Sequence, residues 1–235
     1  DLHRDPAAVE QLRPVDLAVG PDRALYIADF YNCIIGHYEV PLDHPRRDRT
    51  HGRVWRVVYK GTDGQTVATP TLPDLTKLAT TDVVRELGNV NLTVRTFATN
   101  WLVDAVQAAP AAQRDQLRQA TCSAVRSAIK ADGSRPELRA HAVWVLERLG
   151  DLKADDVTRL ATDTMPLVRT HAVRMLAERS QWSQDDLNRV RQLLKDENAI
   201  VRRVAADALG RHPNEANVPA LFQLISETPA QDTHL

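Results

Sequence analysis

Apolar and polar residues follow one another along the chain with two different periods. In the first sixty residues the apolar positions come in short runs. Leu17 and Val19 form one, Leu25-Tyr26-Ile27-Ala28 another, and the turn-forming Gly20-Pro21-Asp22 separates them. A third run, Arg53-Val54-Trp55-Arg56-Val57-Val58-Tyr59, alternates polar and apolar side chains and closes on Lys60-Gly61-Thr62-Asp63-Gly64. These runs predict a small antiparallel β segment over residues 1–64. Three strands are marginal in water by themselves, so the sheet is expected to pack on the following domain or on strands that this chain does not contain. The Thr-, Gly- and Pro-bearing stretch that follows predicts a linker over residues 65–73. From Asp74 onward alanine, leucine, arginine and glutamine dominate and the apolar residues recur at helical spacing, which predicts an α-helical domain over residues 74–235.

Aligned with itself, the helical part shows a recurring pattern: an aliphatic residue, Arg, two residues, Ala, three residues, Leu. It occurs as Val94-Arg95, Ala98, Leu102; as Leu138-Arg139, Ala142, Leu146; as Val168-Arg169, Ala172, Leu176; and as Val201-Arg202, Ala205, Leu209. The arginines are 44, 30 and 33 residues apart, the period of a solenoid of helical hairpins with one expanded unit. In such a stack each hairpin buries one face on its neighbour, so the small Ala and the Leu one turn later are packing choices. Asp163 precedes Arg169 by six residues, Asp196 precedes Arg202 by six, and Asn89 holds the same place before Arg95. The second unit departs, with Gly133 at that place and Asp132 beside it.

This spacing resembles the HEAT repeat family, in which an Asp and an Arg of each repeat form a ladder along the solenoid. The resemblance implies a mainly α fold, a HEAT-like α-α superhelix preceded by the β segment, with Arg95, Arg139, Arg169, Arg202, Asp163 and Asp196 as structural ladder residues. The expected physics is that an acid at the turn caps free N–H groups and also receives a guanidinium from the adjacent repeat. Phe97, His141, His171 and Val204 fall two residues after the four arginines. Phe and Val at equivalent places make this a packing position, although His141 and His171 would also suit a metal or pH-sensing pair. Trp101, Trp144, Trp182 and Cys122 sit at core spacing and are read as packing residues.

Charge narrows the partners. With 30 Lys+Arg against 31 Asp+Glu the net charge is −1, so the broad positive field that gathers nucleic acid is absent and a nucleic-acid-binding HEAT-like module is the lesser alternative. Arg114, Arg118 and Arg126 keep a local basic stripe open. No apolar run reaches the roughly 20 residues of a bilayer crossing. The two cysteines exclude a Cys₄ metal site and a disulfide-dense miniprotein.

The densest polar chemistry lies in the loop Asn32–Gly52 and its borders. Asp29, His37, Asp43, Asp48 and His51 are ligand types for zinc or calcium, but the spacing fits no metal motif. Arg46, Arg47, Arg49 and Arg53 lie among them and are expected to pair with the acids. Metal: none is therefore the reading, with those five residues as the candidates. Nothing in the sequence pairs a nucleophile with a base or forms a phosphate loop, so no catalytic residue is assigned.

The run Arg13-Pro-Val-Asp-Leu-Ala-Val-Gly-Pro-Asp, with Leu25-Tyr-Ile-Ala-Asp, resembles the last blade of a six-bladed propeller of the soluble sugar dehydrogenase and NHL kind. Its continuation through Asp29-Phe-Tyr-Asn, Ile35-Gly-His and Arg46-Arg-Asp-Arg-Thr-His-Gly-Arg-Val-Trp-Arg-Val is similar to the large membrane-bound dehydrogenase family of planctomycetes and verrucomicrobia. Thr81–Arg95 resembles the first HEAT unit after their propeller. Those proteins run from propeller through HEAT repeats to a cytochrome c domain. The resemblance departs at Arg23-Ala24, where a glycine usually stands, and in lacking CxxCH, so this chain holds no covalent haem c. It implies a non-catalytic interaction and spacer scaffold within a larger extracytoplasmic, periplasmic protein. Its partners would be the propeller head, the cytochrome c module or another protein, and haem c and calcium would belong to the parent. The alternative is a fragment of a sugar or alcohol dehydrogenase whose Asp29–Arg53 loop lines a substrate or calcium site.

Overall fold

The computed structural model describes residues 12–34, 39–62, 64 and 70–228. The chain divides into two compact units, Asp1–Pro73 and Asp74–Leu235.

The first unit is a three-stranded antiparallel sheet in the order β1 (Pro14–Val19), β2 (Leu25–Asp29), β3 (Arg53–Val57). The third strand stops at Val57, two residues short of the alternating run. The register sets Leu17 opposite Ile27 and Ile27 opposite Trp55, with Val19, Leu25 and Val57 in the next row. Because side chains alternate across a sheet, these six share one face. Leu17, Val19 and Val57 on it are exposed within the unit, as expected for a sheet too small to bury both its sides.

The β1–β2 hairpin explains the Arg23-Ala24 departure. The Arg23 N–H donates to the Gly20 carbonyl at 3.0 Å and Arg23 takes φ of 65°, the left-handed region where glycine is cheapest. Gly20 is needed for another reason: a Cβ there would lie 2.3 Å from the Tyr26 ring.

The second unit is a stack of helical hairpins. Its helices are α1 (Thr80–Glu86), α2 (Leu92–Ala108), α3 (Ala111–Lys130), α4 (Pro136–Arg148), α5 (Ala154–Ala161), α6 (Pro166–Glu178), α7 (Gln184–Leu193), α8 (Ala199–Arg211) and α9 (Val218–Glu227). Each odd-numbered helix from α1 to α7 pairs with the helix after it, and α2, α4, α6 and α8 pack on one another in one continuous row. Local sequence fixes where the row helices begin. The Asn91 side chain accepts from the Thr93 N–H at 3.0 Å and that of Asn198 from the Ile200 N–H at 3.0 Å, while Pro136 and Pro166 open α4 and α6. Gly150, at φ of 66°, ends α4, and the Asp151 N–H returns to the Leu146 carbonyl at 2.9 Å.

The register predicted from the repeat holds. Ala98, Ala142, Ala172 and Ala205 have no exposed surface, and Leu102, Leu146, Leu176 and Leu209 are all buried in the one core that runs through the stack. Phe97 corrects the packing assignment of its position: it is 52% exposed, whereas Val204 is 7%. The difference follows from place: this position contacts the preceding row helix, as His141 and His171 do, and α2, which begins the row, has none. Trp144 and Trp182 pack partly against the core, while Trp101 is exposed.

Candidate functional site

The four repeat arginines stand at the start of the row helices and share one use of the guanidinium fork. One nitrogen, Nη1, turns back to the loop before its own helix. It donates to the Asn89 carbonyl from Arg95 at 2.6 Å, to the Ser134 carbonyl from Arg139, to the Asp163 carbonyl from Arg169 at 2.8 Å and to the Asp196 carbonyl from Arg202 at 3.0 Å. The other edge, Nε with Nη2, reaches forward to the next repeat. Arg139 binds both carboxylate oxygens of Asp163 at 2.7 and 2.9 Å, and Arg169 binds both of Asp196 at 2.7 Å. These two-pronged pairs have ideal fork geometry. Each acid also holds its own turn, Asp163 accepting from the Met165 N–H and Asp196 from the Asn198 N–H, both at 2.9 Å. Asn89 does the same for the Asn91 N–H at 2.8 Å. The Arg169 side chain is 9% and that of Asp196 6% exposed. The bond to Asp196 outweighs the opposing effect of burial and raises the Arg169 pKa.

The rung between the first and second hairpins is different. Gly133 supplies no acid, and the forward edge of Arg95 meets His141 instead, Nε donating to Nε2 at 3.3 Å. The Thr99 hydroxyl donates to the Arg95 carbonyl at 2.8 Å and lies 2.9 Å from His141 Nδ1. That requires Nδ1 to carry the ring proton and leaves Nε2 as the acceptor. Burial, then the Arg95 charge and His171, push the His141 pKa down to about 4. Burial also lowers the Arg95 pKa, which the more distant Glu137 only partly offsets. His171 is used differently: its Nδ1 accepts from Trp144 Nε1 at 2.9 Å and its ring stands edge-on to the indole. Burial depresses its pKa as well. The two histidines thus serve separate inter-repeat contacts and do not face one ion together.

Further ties between repeats had no visible pattern in the sequence. At the far end of the row helices Arg148 donates to Asn100 Oδ1 at 2.8 Å, and Arg179 binds Glu147 at 2.7 and 2.9 Å. Both follow a repeat arginine by nine or ten residues, and that offset was the available signal. The basic stripe Arg114, Arg118, Arg126 is spent inside the fold. Arg126 binds Asp151 at 2.7 Å and Asp156 at 2.9 Å, Arg118 lies 3.7 Å from Asp115, and Arg114 donates to the Ala109 carbonyl. Cys122 is fully buried beside this cluster, and burial followed by the Asp151 charge pushes its thiol up to about 11.

In the first unit Asp29 is a knot in the chain. Its Oδ1 accepts from the N–H groups of Arg13 at 2.7 Å and Tyr31 at 2.8 Å, and its Oδ2 from Trp55 Nε1 at 2.7 Å. One buried carboxylate therefore ties together the ends of all three strands. Burial pushes its pKa up, but these three N–H bonds and the Arg53 charge outweigh that and lower it. Asn32, also buried, donates to the Asp48 carbonyl at 2.8 Å and so holds the loop closed. Asp48 caps the next turn, accepting from the Thr50 and His51 N–H groups, both at 3.0 Å, with the His51 ring 2.8 Å away. The Thr50 and His51 bonds pull its pKa down to about 2. Asp43 is exposed, and His37 lies outside the described residues. Among the described residues no three His, Cys, Asp or Glu side chains gather as a metal site.

In this loop Arg53 acts on an acid, Asp29, through its charge, and the arginines also serve groups other than acids. Arg47 donates to the Val40 and Pro41 carbonyls and Arg49 to the Leu42 carbonyl, while the Arg53 guanidinium lies 3.5 Å over the Tyr31 ring. A loop with little regular structure leaves its carbonyls unpaired, and they compete for guanidinium donors. Asp29, Asp48, His51 and Arg53 border a shallow open groove together with Val15 and Phe30.

The stack of two-helix units, with its Arg–Asp rungs, defines a HEAT-type helical repeat fold. A model of the HEAT repeats matches residues 123–207 and again 157–234, so the chain from 123 to 234 is built of HEAT repeats. A domain of unknown function, DUF7133, matches residues 8–61. No curated protein matches the chain. Among the described residues no helix is long and apolar enough to cross a membrane.

Proposed function

We propose that the chain is a non-catalytic interaction and spacer scaffold. One observation carries this: the row α2, α4, α6, α8 is locked by its rungs into a single stack that leaves Arg174 and Arg203 exposed along it and Phe97, Trp101 and Asp104 exposed on α2, where the row begins. A rigid surface with separate aromatic and charged positions suits a protein partner. The polar groups singled out above are already bound to one another, which supports a structural role for them. The resemblance of the chain, from about residue 13 to its end, to dehydrogenases of the propeller, HEAT and cytochrome c type supports a finer reading. In it the solenoid spaces a propeller head from a haem c module in an extracytoplasmic protein.

A photo-reactive residue placed at Asp104, Arg174 or Arg203 tests this, with Gln113 and Gln184 on the other helices as controls. The row positions should cross-link in the native organism to one defined polypeptide, and on the finer reading to a propeller or haem-bearing segment. Equal cross-linking from the controls would defeat the scaffold reading.

A further inference from the structure

The geometry points to a carboxylate-binding subsite at Arg95, in the seam between the first and second hairpins, that takes an acidic side chain of a peptide with apolar residues around it. The inference deepens the scaffold reading by naming the chemistry of one partner contact, and it rests on that reading only in taking the ligand to be a protein.

Three observations lead there. The first is equivalence: every described rung uses Nη1 for its own loop, and Arg139 and Arg169 then present Nε and Nη2 as a pair to an aspartate. Arg95 is set in the same way by the Asn89 carbonyl at 2.6 Å and the Val90 carbonyl at 3.3 Å. Its forward edge therefore has the orientation that grips a carboxylate elsewhere in the stack. Among the described residues that edge meets only His141 Nε2, a single neutral acceptor at 3.3 Å, and Nη2 has no acceptor.

The second observation concerns space and polar matching in the facing loop. A Cβ on Gly133, which stands at φ of 70°, would meet nothing within 4 Å, so the loop that supplies Asp163 and Asp196 in the later hairpins leaves open space here. Ser134, the next residue, keeps a buried hydroxyl oxygen that has no hydrogen-bond partner. The third is local charge. Glu137, which is held to Arg135 at 3.3 Å, offsets the Arg95 charge only partly, and the two arginines against one acid favour an anionic ligand.

The rim selects a peptide over a free carboxylate. Val90 and Leu92, on either side of the Asn91 cap, are 69% and 60% exposed. Apolar residues beside an acidic side chain would cover them, whereas acetate gains nothing from them. A lone guanidinium in water holds a carboxylate weakly, so the subsite is expected to contribute millimolar affinity to a larger contact.

Side-chain NMR of the whole chain tests this through the Arg Nε–H signals, with that of Arg95 assigned by its loss in Arg95→Gln. The probes are acetyl-Val-Asp-Val-amide, acetyl-Val-Asn-Val-amide and sodium acetate. The Asp peptide should shift the Arg95 signal saturably and bind at least tenfold more tightly than the Asn peptide or acetate. Gly133→Asp, which supplies the acid in cis, should weaken the Asp peptide by the same factor. Should Arg95→Gln fail to fold, His141→Gln assigns the signal instead by shifting it. Equal shifts from Asp and Asn peptides, or shifts spread over all exposed arginines, would overturn the subsite, and acetate binding as tightly as the peptide would overturn the peptide as its source. These outcomes leave the cross-linking test of the scaffold untouched.

Discussion

Asp196→Ala removes one carboxylate from the middle of the ladder. In the intact protein that carboxylate takes two N–H bonds of 2.7 Å from Arg169 and one of 2.9 Å from the Asn198 backbone. Its loss leaves a guanidinium that is 9% exposed facing the Asp163 and Thr164 carbonyls, with Glu197 at 3.4 Å as the nearest remaining acid. Breaking a buried pair by removing one partner costs about 3–5 kcal/mol. Glu197 is 83% exposed and can swing partly into place, so the lower end, about 3 kcal/mol, is expected. At about 2–4 °C per kcal/mol for a domain of this size, the melting temperature should fall by about 6–12 °C. Thermal and urea unfolding followed by circular dichroism at the helical band would measure it. Arg169→Met strands the other member of the pair, the Asp196 carboxylate, which keeps its bond from the Asn198 N–H, so it should cost as much as Asp196→Ala or somewhat less. The double variant should lie close to Arg169→Met alone, giving a coupling of about 1.5 kcal/mol or more. A loss under about 0.5 kcal/mol for Asp196→Ala, or one equal to that of Glu197→Ala, would refute the claim that the rungs fasten the stack.

Ala172→Leu should overpack the row and cost about 1–3 kcal/mol, while Gln184→Ala at an exposed position should change little; equal melting shifts would undo the repeat register. Because the His141 pKa is depressed from 6.5 to about 4, the unfolded chain binds the extra proton. Stability is therefore full above pH 6.5 and falls toward pH 4, by about 1.4 kcal/mol per pH unit at most. His141→Gln should flatten that part of a stability–pH curve, and a curve of unchanged shape would count against the neutral acceptor role. Asp29→Ala should leave the Arg13, Tyr31 and Trp55 N–H groups unpaired and disorder the sheet. Loss of the near-ultraviolet Trp55 signal with the helical signal intact is the expected readout.

The helical half was legible because its constraint repeats. Four copies of the Arg, Ala, Leu spacing set the register, and the alanines and leucines lie where that register puts them. The turn acids were legible from their constant distance to the arginines. The His141 contact was not, since one histidine replacing an acid from a different loop leaves no periodic trace. The carbonyl partners of the charged loop were not legible for a physical reason: abundance of acids and arginines in a short stretch says nothing about which carbonyls lie unpaired nearby. Asp29 belongs to the same lesson, for its three N–H donors come from positions 13, 31 and 55, and only the fold brings them together.

The helices of the stack also differ in how much length they tolerate. The row helices α4, α6 and α8 are each 13 residues long and α2, which begins the row, is 17, and the interval from turn residue to arginine is six in every hairpin that has an Asn or Asp there. Their partners α1, α3, α5 and α7 run to 7, 20, 8 and 10 residues. A guanidinium that grips its own loop on one side and the next loop on the other works as a gauge of fixed width, so one face of the stack is held to a constant pitch. Differences in helix length between hairpins are thereby taken up largely on the opposite face, without changing the spacing along the gauged one.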